Sequence, residues 1–144
     1  MAVTAKVYGP ALAAFLAGSI NWGSDTIKVS LHTSAYTPNQ DTDQFFTAAT
    51  NEVTGTGYTA GGITLASKTS TYTAGTNTQA LDAADVTWST STITARYAVV
   101  RKDTGSGATS PLICYVDFGA DVISSAGNFT ITWDAAGIMT AVTA

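Results

Sequence analysis

The chain has one cysteine, Cys114, and one histidine, His32, in 144 residues. A single thiol excludes an internal disulfide and any zinc site built on cysteines. One imidazole excludes a two-histidine metal centre, and it leaves Cys114 without a second histidine to serve as its base. Charge is also scarce, at 11% of residues against about 25% in an average domain. The six basic residues are spread along the chain, with only Arg101 and Lys102 adjacent, and the net charge is −4. No basic stripe exists to neutralise a row of phosphates, so nucleic acid is not an expected partner, and neither is an anionic membrane surface. No apolar run approaches the roughly 20 residues of a membrane-spanning helix.

What the chain has instead is apolar residues, at 45%, and hydroxyls, with Ser and Thr making up about a quarter of it. A length of 144 residues suits one domain able to bury a sizeable core, and one domain over residues 1–144 is the expectation. A surface polar through hydroxyls carries little long-range field, so neighbouring molecules approach without strong repulsion.

Gly9-Pro10 precedes Ala11–Ala17, and Gly18 follows. Proline at the first turn and glycine after the end predict one short helix over residues 10–17, with Leu12, Phe15 and Leu16 on its docking face. The segment is too short to read as a leader with Pro10 inside it. Elsewhere the period is two. Ile27, Val29 and Leu31 alternate with Lys28, Ser30 and His32, which places His32 on the polar, solvent or interface face. Weaker strand patterns cover 63–65, 69–73 and 78–88. Ile93–Val100 alternates, Asp103–Thr109 has no core residue, and Leu112–Phe118 is apolar on both faces, which reads as a hairpin with a polar tip. Asn128–Asp134 and Ile138–Val142 predict two more strands, and Trp88 and Trp133 alternate with threonine as core positions would. The fold class expected is all-β, a β-sandwich or jelly-roll-like barrel with one short N-terminal helix.

Residues 33–62 form a long irregular stretch with Phe45 and Phe46 as anchors. Within it Gly55-Thr-Gly57-Tyr-Thr-Ala60 imitates a dinucleotide fingerprint, but Gly61-Gly62 opposes the helix that such a site needs, so the glycines read as turn and close-approach positions. Asp41 with Asp43, and Asp82 with Asp85, share loops without an EF-hand spacing, and Glu52 is the only glutamate. Cys114 lies in an apolar strand, where a thiol is inert. Asn128-Phe-Thr130 matches a glycosylation sequon but falls inside a strand pattern. Arg96 interrupts an apolar and hydroxylated strand, and the expectation is an ion pair with Glu52 or an aspartate that ties the long loop to the sheet. Trp22, Tyr36 and Tyr58 are the candidate contacts for a partner or a glycan. No catalytic, cofactor or metal residues are assigned, and the chain is not expected to be an enzyme.

Asp25-Thr-Ile-Lys-Val, Ser34-Ala-Tyr-Thr-Pro38, Asn51-Glu-Val-Thr-Gly-Thr-Gly-Tyr-Thr-Ala-Gly-Gly62, Thr94-Ala-Arg-Tyr-Ala-Val-Val100, Pro111-Leu-Ile-Cys-Tyr-Val-Asp-Phe-Gly119 and Gly127-Asn-Phe-Thr-Ile-Thr-Trp-Asp134 resemble a family of small structural proteins of tailed bacteriophages and prophages. The resemblance runs from about Trp22 onward. It implies a virion component: a capsid decoration or minor capsid protein that binds the major capsid protein or neighbouring virion proteins as a symmetric homo-oligomer. Such a protein would be made in the host bacterial cytoplasm and found on the capsid surface. The alternative it implies is a tail- or fibre-associated module that binds carbohydrate or a receptor.

Overall fold

The structure is a computed structural model that describes residues 2–143; Met1 and Ala144, the ends of the expected domain, lie outside the described residues. It is an all-β, sandwich-like fold with a single short α-helix. The elements in order are β1 (Thr4–Val7), α1 (Gly9–Leu16), β2 (Ile27–His32), β3 (Ile63–Thr64), β4 (Thr69–Thr73), β5 (Thr78–Asp82), β6 (Val86–Lys102), β7 (Leu112–Ile131) and β8 (Met139–Val142). One sheet has five strands in the order β1-β7-β6-β2-β3, the other three in the order β4-β5-β8, and every pairing is antiparallel.

The hairpin of β6 and β7 is the backbone of the molecule. β6 has 17 residues and β7 has 20, far beyond the usual strand of about 5–6. The sequence pattern breaks this length into separate strands because the alternation lapses near Ser89–Ser91 and Gly119–Gly127. The structure shows why: the register shifts between Trp88 and Ser91, Ser91 and Ile93, Ala95 and Tyr97, and Val100 and Arg101. Each bulge flips the inward parity and bends the ribbon without ending it. Inner residues Val86, Trp88, Phe129 and Ile131 thus share one core with Ile27, Val29 and Leu31 of β2 and Leu81 of β5.

The five-stranded sheet is covered on both faces beneath the long loop and the helix, while the outer face of its Val86–Ala95 ribbon is exposed. On the side of Ile27, Val29 and Leu31 lies the main core. On the other, Tyr8, Ala11, Tyr36, Ala49, Val99, Leu112 and Tyr115 form a second cluster under the long loop. That loop is held by close contact. At Gly55 an added Cβ would lie 2.3 Å from the Thr92 carbonyl oxygen, and at Gly57 2.8 Å from the Ser91 Cα, so both close-approach expectations hold.

The helix departs from its expected face. Ala11 is buried, and Ala14 and Phe15 pack on the core, whereas Leu12 is 52% and Leu16 82% exposed. Tyr8 sets this rotation. Its N–H donates to the Ile113 carbonyl at 3.0 Å and its hydroxyl is 2.9 Å from that of Tyr36, so the helix starts with positions 11, 14 and 15 inward.

Candidate functional site

A concavity of about 790 Å³ opens between the two sheets at one side of the sandwich. Its floor is apolar, with Cys114, Val116 and Phe118 of β7, then Ile131, Trp133, Ile138 and Met139. One wall is β1, the edge of the five-stranded sheet, and the other runs into β8, the edge of the three-stranded sheet. Among the described residues, β1 pairs only with β7 and β8 only with β5. The groove is thus bounded by two strand edges with outward N–H and C=O groups, a template for another strand. Its polar residues, Lys6, Thr130, Thr132, Asp134 and Thr140, stand at the rim, and all five are exposed. Val3, beside β1, is 63% exposed. Cys114 at the floor is buried, and burial pushes its thiol up to about 12, which removes it from nucleophilic chemistry at neutral pH. Trp133, expected in the core, is half-buried on the groove, with its indole N–H donated to the Ala84 carbonyl at 3.1 Å.

The second polar concentration is enclosed. His32 is fully buried, not on a solvent face, because the 33–62 loop folds back over it. Its Nδ1 lies 2.8 Å from the Thr50 carbonyl, which can only accept, so Nδ1 carries the proton. Nε2 then accepts from the Ser30 hydroxyl at 3.0 Å, and the Ser30 oxygen accepts from Arg101 Nη1 at 3.3 Å. Arg101 Nη2 donates to the Gly61 carbonyl at 3.0 Å, while Nε has no partner among the described residues. Burial lowers the affinity of both His32 and Arg101 for protons. This network contains a serine next to a histidine, yet both side chains are sealed from solvent, and it organises the loop.

The residues singled out from sequence are scattered. Trp22 is 4% exposed. The Asn21 side chain accepts from the N–H groups of Gly23 and Ser24, forming a turn that rolls the indole inward, and its N–H donates to the Asp82 carbonyl at 3.2 Å. Tyr36 is 2% exposed; its hydroxyl donates to Asp43 at 2.9 Å and its ring meets Tyr97 edge-on. Tyr58 is half-buried, stacked on Trp88 at 5.9 Å between centroids, and its hydroxyl donates to Glu52 at 2.6 Å while accepting from the Leu31 N–H. Trp22 and Tyr36 therefore offer no ring face to a glycan, and Tyr58 has one face covered.

Of the two kinds of partner expected for Arg96, an aspartate pairs with it and Glu52 does not, and the aspartate lies on the neighbouring strand, so the pair does not tie down the long loop. Arg96 sits where the register shifts on β6 and reaches Asp117 on the neighbouring β7, with Nε to Oδ1 at 2.5 Å. That pairing holds the Asp117 carboxyl below the usual range and raises the affinity of Arg96 for its proton. Glu52 lies across the sheet at the β2 edge, bridged to His32, and accepts from Tyr58 and from the Gly61 N–H at 2.6 Å. It ties the loop, as expected of the pair, but through neutral donors. Among the described residues no group of three or more His, Cys, Asp or Glu is placed to hold a metal, and no helix is long and apolar enough to cross a membrane.

Sequence reasoning did not find the groove. Its floor is assembled from β7 and the 131–139 segment, whose residues look like ordinary core in a linear reading. Compared with family models, curated proteins and solved structures, the chain matches none.

Proposed function

We propose that this chain is a structural component of a tailed-bacteriophage particle: a capsid decoration or minor capsid protein that binds the major capsid protein as a symmetric oligomer. The observation that carries this reading is the apolar groove between the β1 and β8 edges. A groove of that kind accepts extended chain by backbone pairing and side-chain burial, which is how β-proteins assemble without charge-driven recognition. The sparse charge and the hydroxyl-rich surface support it, because copies of a shell protein crowd together. The motif resemblance from about Trp22 onward supplies the particle itself. The exposed apolar residues Leu12 and Leu16 add a further surface that association would cover. On this reading the protein is made in the host bacterial cytoplasm and ends on the capsid surface.

Cryo-electron microscopy of the particle whose genome carries this chain tests the reading. Density for the fold over capsid subunits, at symmetric positions, is the expected result. Density confined to the tail tip, or absence of the chain from purified particles, overturns the capsid placement.

A further inference from the structure

β1 runs Val3-Thr-Ala-Lys-Val7 if the residue just before the strand is included. In an antiparallel ladder, residues alternate between directing their backbone groups to one neighbour and to the other. The Tyr8 N–H donates to Ile113 across the β1–β7 pairing, so Thr4 and Lys6 also face β7. Val3, Ala5 and Val7 must then direct theirs away from the sheet. The structure bears out this parity at one end, where the Val7 carbonyl accepts from the Gln40 side chain at 3.0 Å rather than from β7. The side chains of the same three residues line the groove.

We propose that β1 is the seat of self-association: it pairs antiparallel with β1 of a second copy about a two-fold axis at Ala5, joining two five-stranded sheets into one. This deepens the assembly reading above and rests on it. The strand itself selects the occupant. Read in either direction it is apolar, polar, small, polar, apolar, so a two-fold at Ala5 sets Val3 against Val7 of the other copy and Ala5 against its own equivalent. Ala5 directs its N–H and C=O outward, so the central pair exchanges both hydrogen bonds. The incoming Val3, Ala5 and Val7 side chains fall on the groove side and cover its mouth. Charge fits as well. Thr4 is opposite Asp117 on β7, and the two-fold places the second copy's lysine 6 opposite Thr4. That ammonium then reaches across the short threonine toward the Asp117 carboxylate, which Arg96 already pairs, so the lysine adds to an existing ion pair while the two lysines stay on opposite sides of the axis. Because the Gln40 side chain already holds the Val7 carbonyl, the backbone pairing centres on Ala5, and Val3 meets Val7 of the other copy chiefly through side chains. An isologous pairing of this sort closes on itself.

Sedimentation of the full chain is the test. The expected mass is an even multiple of 14.7 kDa, with the dimer as its smallest unit. Ala5→Pro deletes the outward N–H but no bond to β7, so its mass falls to half with an unchanged near-ultraviolet circular dichroism spectrum. Lys6→Glu, which leaves the core untouched, sets a carboxylate against Asp117 and weakens self-association roughly tenfold at low salt. Ala5→Cys is joined into a covalent dimer by a short bismaleimide, against a native thiol that is buried. A monomeric wild type at about 100 µM, an odd-numbered oligomer, or a dimer indifferent to all three variants overturns the pairing. A monomer whose density still decorates the particle removes this interface and leaves the capsid reading standing.

Discussion

The guanidinium carbon of Arg101 lies 3.6 Å from the centroid of the Phe46 ring, inside the covered face of the five-stranded sheet. Phe46 belongs to the long loop and Arg101 to β6, so one contact joins the least regular segment to the most regular. No carboxylate lies within ion-pair distance of Arg101 among the described residues. The π face, the Ser30 oxygen and the Gly61 carbonyl replace a counter-ion. Such an arrangement suits arginine because its flat, weakly hydrated cation stacks and donates at once.

If that contact holds the loop, the energies of its two halves are coupled. In a double-mutant cycle of Arg101→Met and Phe46→Leu, measured by urea unfolding, the expected interaction energy is about 1–2 kcal/mol, the range of a desolvated cation–π pair. Additive single-mutant losses would show that the ring merely covers the cation.

His32 gives the fold a pH dependence of known sign. Burial lowers its proton affinity in the folded state below the unfolded value of about 6.5. As the pH falls through 6.5 the unfolded chain takes up a proton that the folded chain refuses, so stability declines with acidification and levels off once the folded imidazole also titrates. The slope approaches at most about 1.4 kcal/mol per pH unit for one group. Asp103 and Asp117, held low mainly by Lys28 and Arg96, act in a separate window, losing their contribution below about pH 4. Unfolding curves from pH 7.5 to 5 for wild type and His32→Gln check this; equal slopes between the two would remove His32 as the cause.

The fold class was legible because Ile27–Leu31 and Ile93–Val99 alternate without interruption, and alternation is what a pleated strand requires. The bounds of β4 are legible to the residue, since its threonines and Tyr72 favour extended backbone up to the turn that carries Gly75. What failed shares one cause. Their place in a strand or loop points His32 to a solvent or interface face and Trp22 and Tyr36 to partner contacts, yet each is covered by chain distant in sequence. A period of two tells which side of its sheet a residue faces. It does not tell whether a 30-residue loop returns to bury the polar side. Arg96 pairs with an aspartate as expected, but with Asp117 on β7 rather than across to the long loop, because the bulge at Ala95–Tyr97 decides the direction of that side chain.

The glycines separate two kinds of constraint. Gly62 has φ +75°, and a Cβ there would stand 1.9 Å from the Val29 carbonyl oxygen in the middle of β2. Gly105, in the hairpin tip, has φ +86° but open space around it. Gly105→Ala therefore costs only the left-handed backbone, about 1–2 kcal/mol. Gly62→Ala adds a clash with main chain that cannot retreat without breaking β2 pairing, and the expected loss is at least twice as large, or failure to fold. Comparable midpoints in chemical denaturation would contradict the close approach of the loop to β2.

Cys114 reports on the anchorage of β1, because in the folded chain its thiol is buried. It pairs with Val7 on one side and Val100 on the other, at the floor beneath β1, and its thiol is held protonated by burial. Attack by a disulfide reagent requires the thiolate and a path to it. Native protein at pH 8 should react with such a reagent only as fast as the region opens, and several orders of magnitude more slowly than the unfolded chain. Lifting β1 alone uncovers the floor, so the same rate reads the anchorage of that strand. The Ala5→Pro variant, which keeps every bond to β7 but loses the second copy, should react faster than wild type at high protein concentration and at an equal rate once both are dilute. A rate independent of concentration in the wild type would mean that β1 is held by β7 alone.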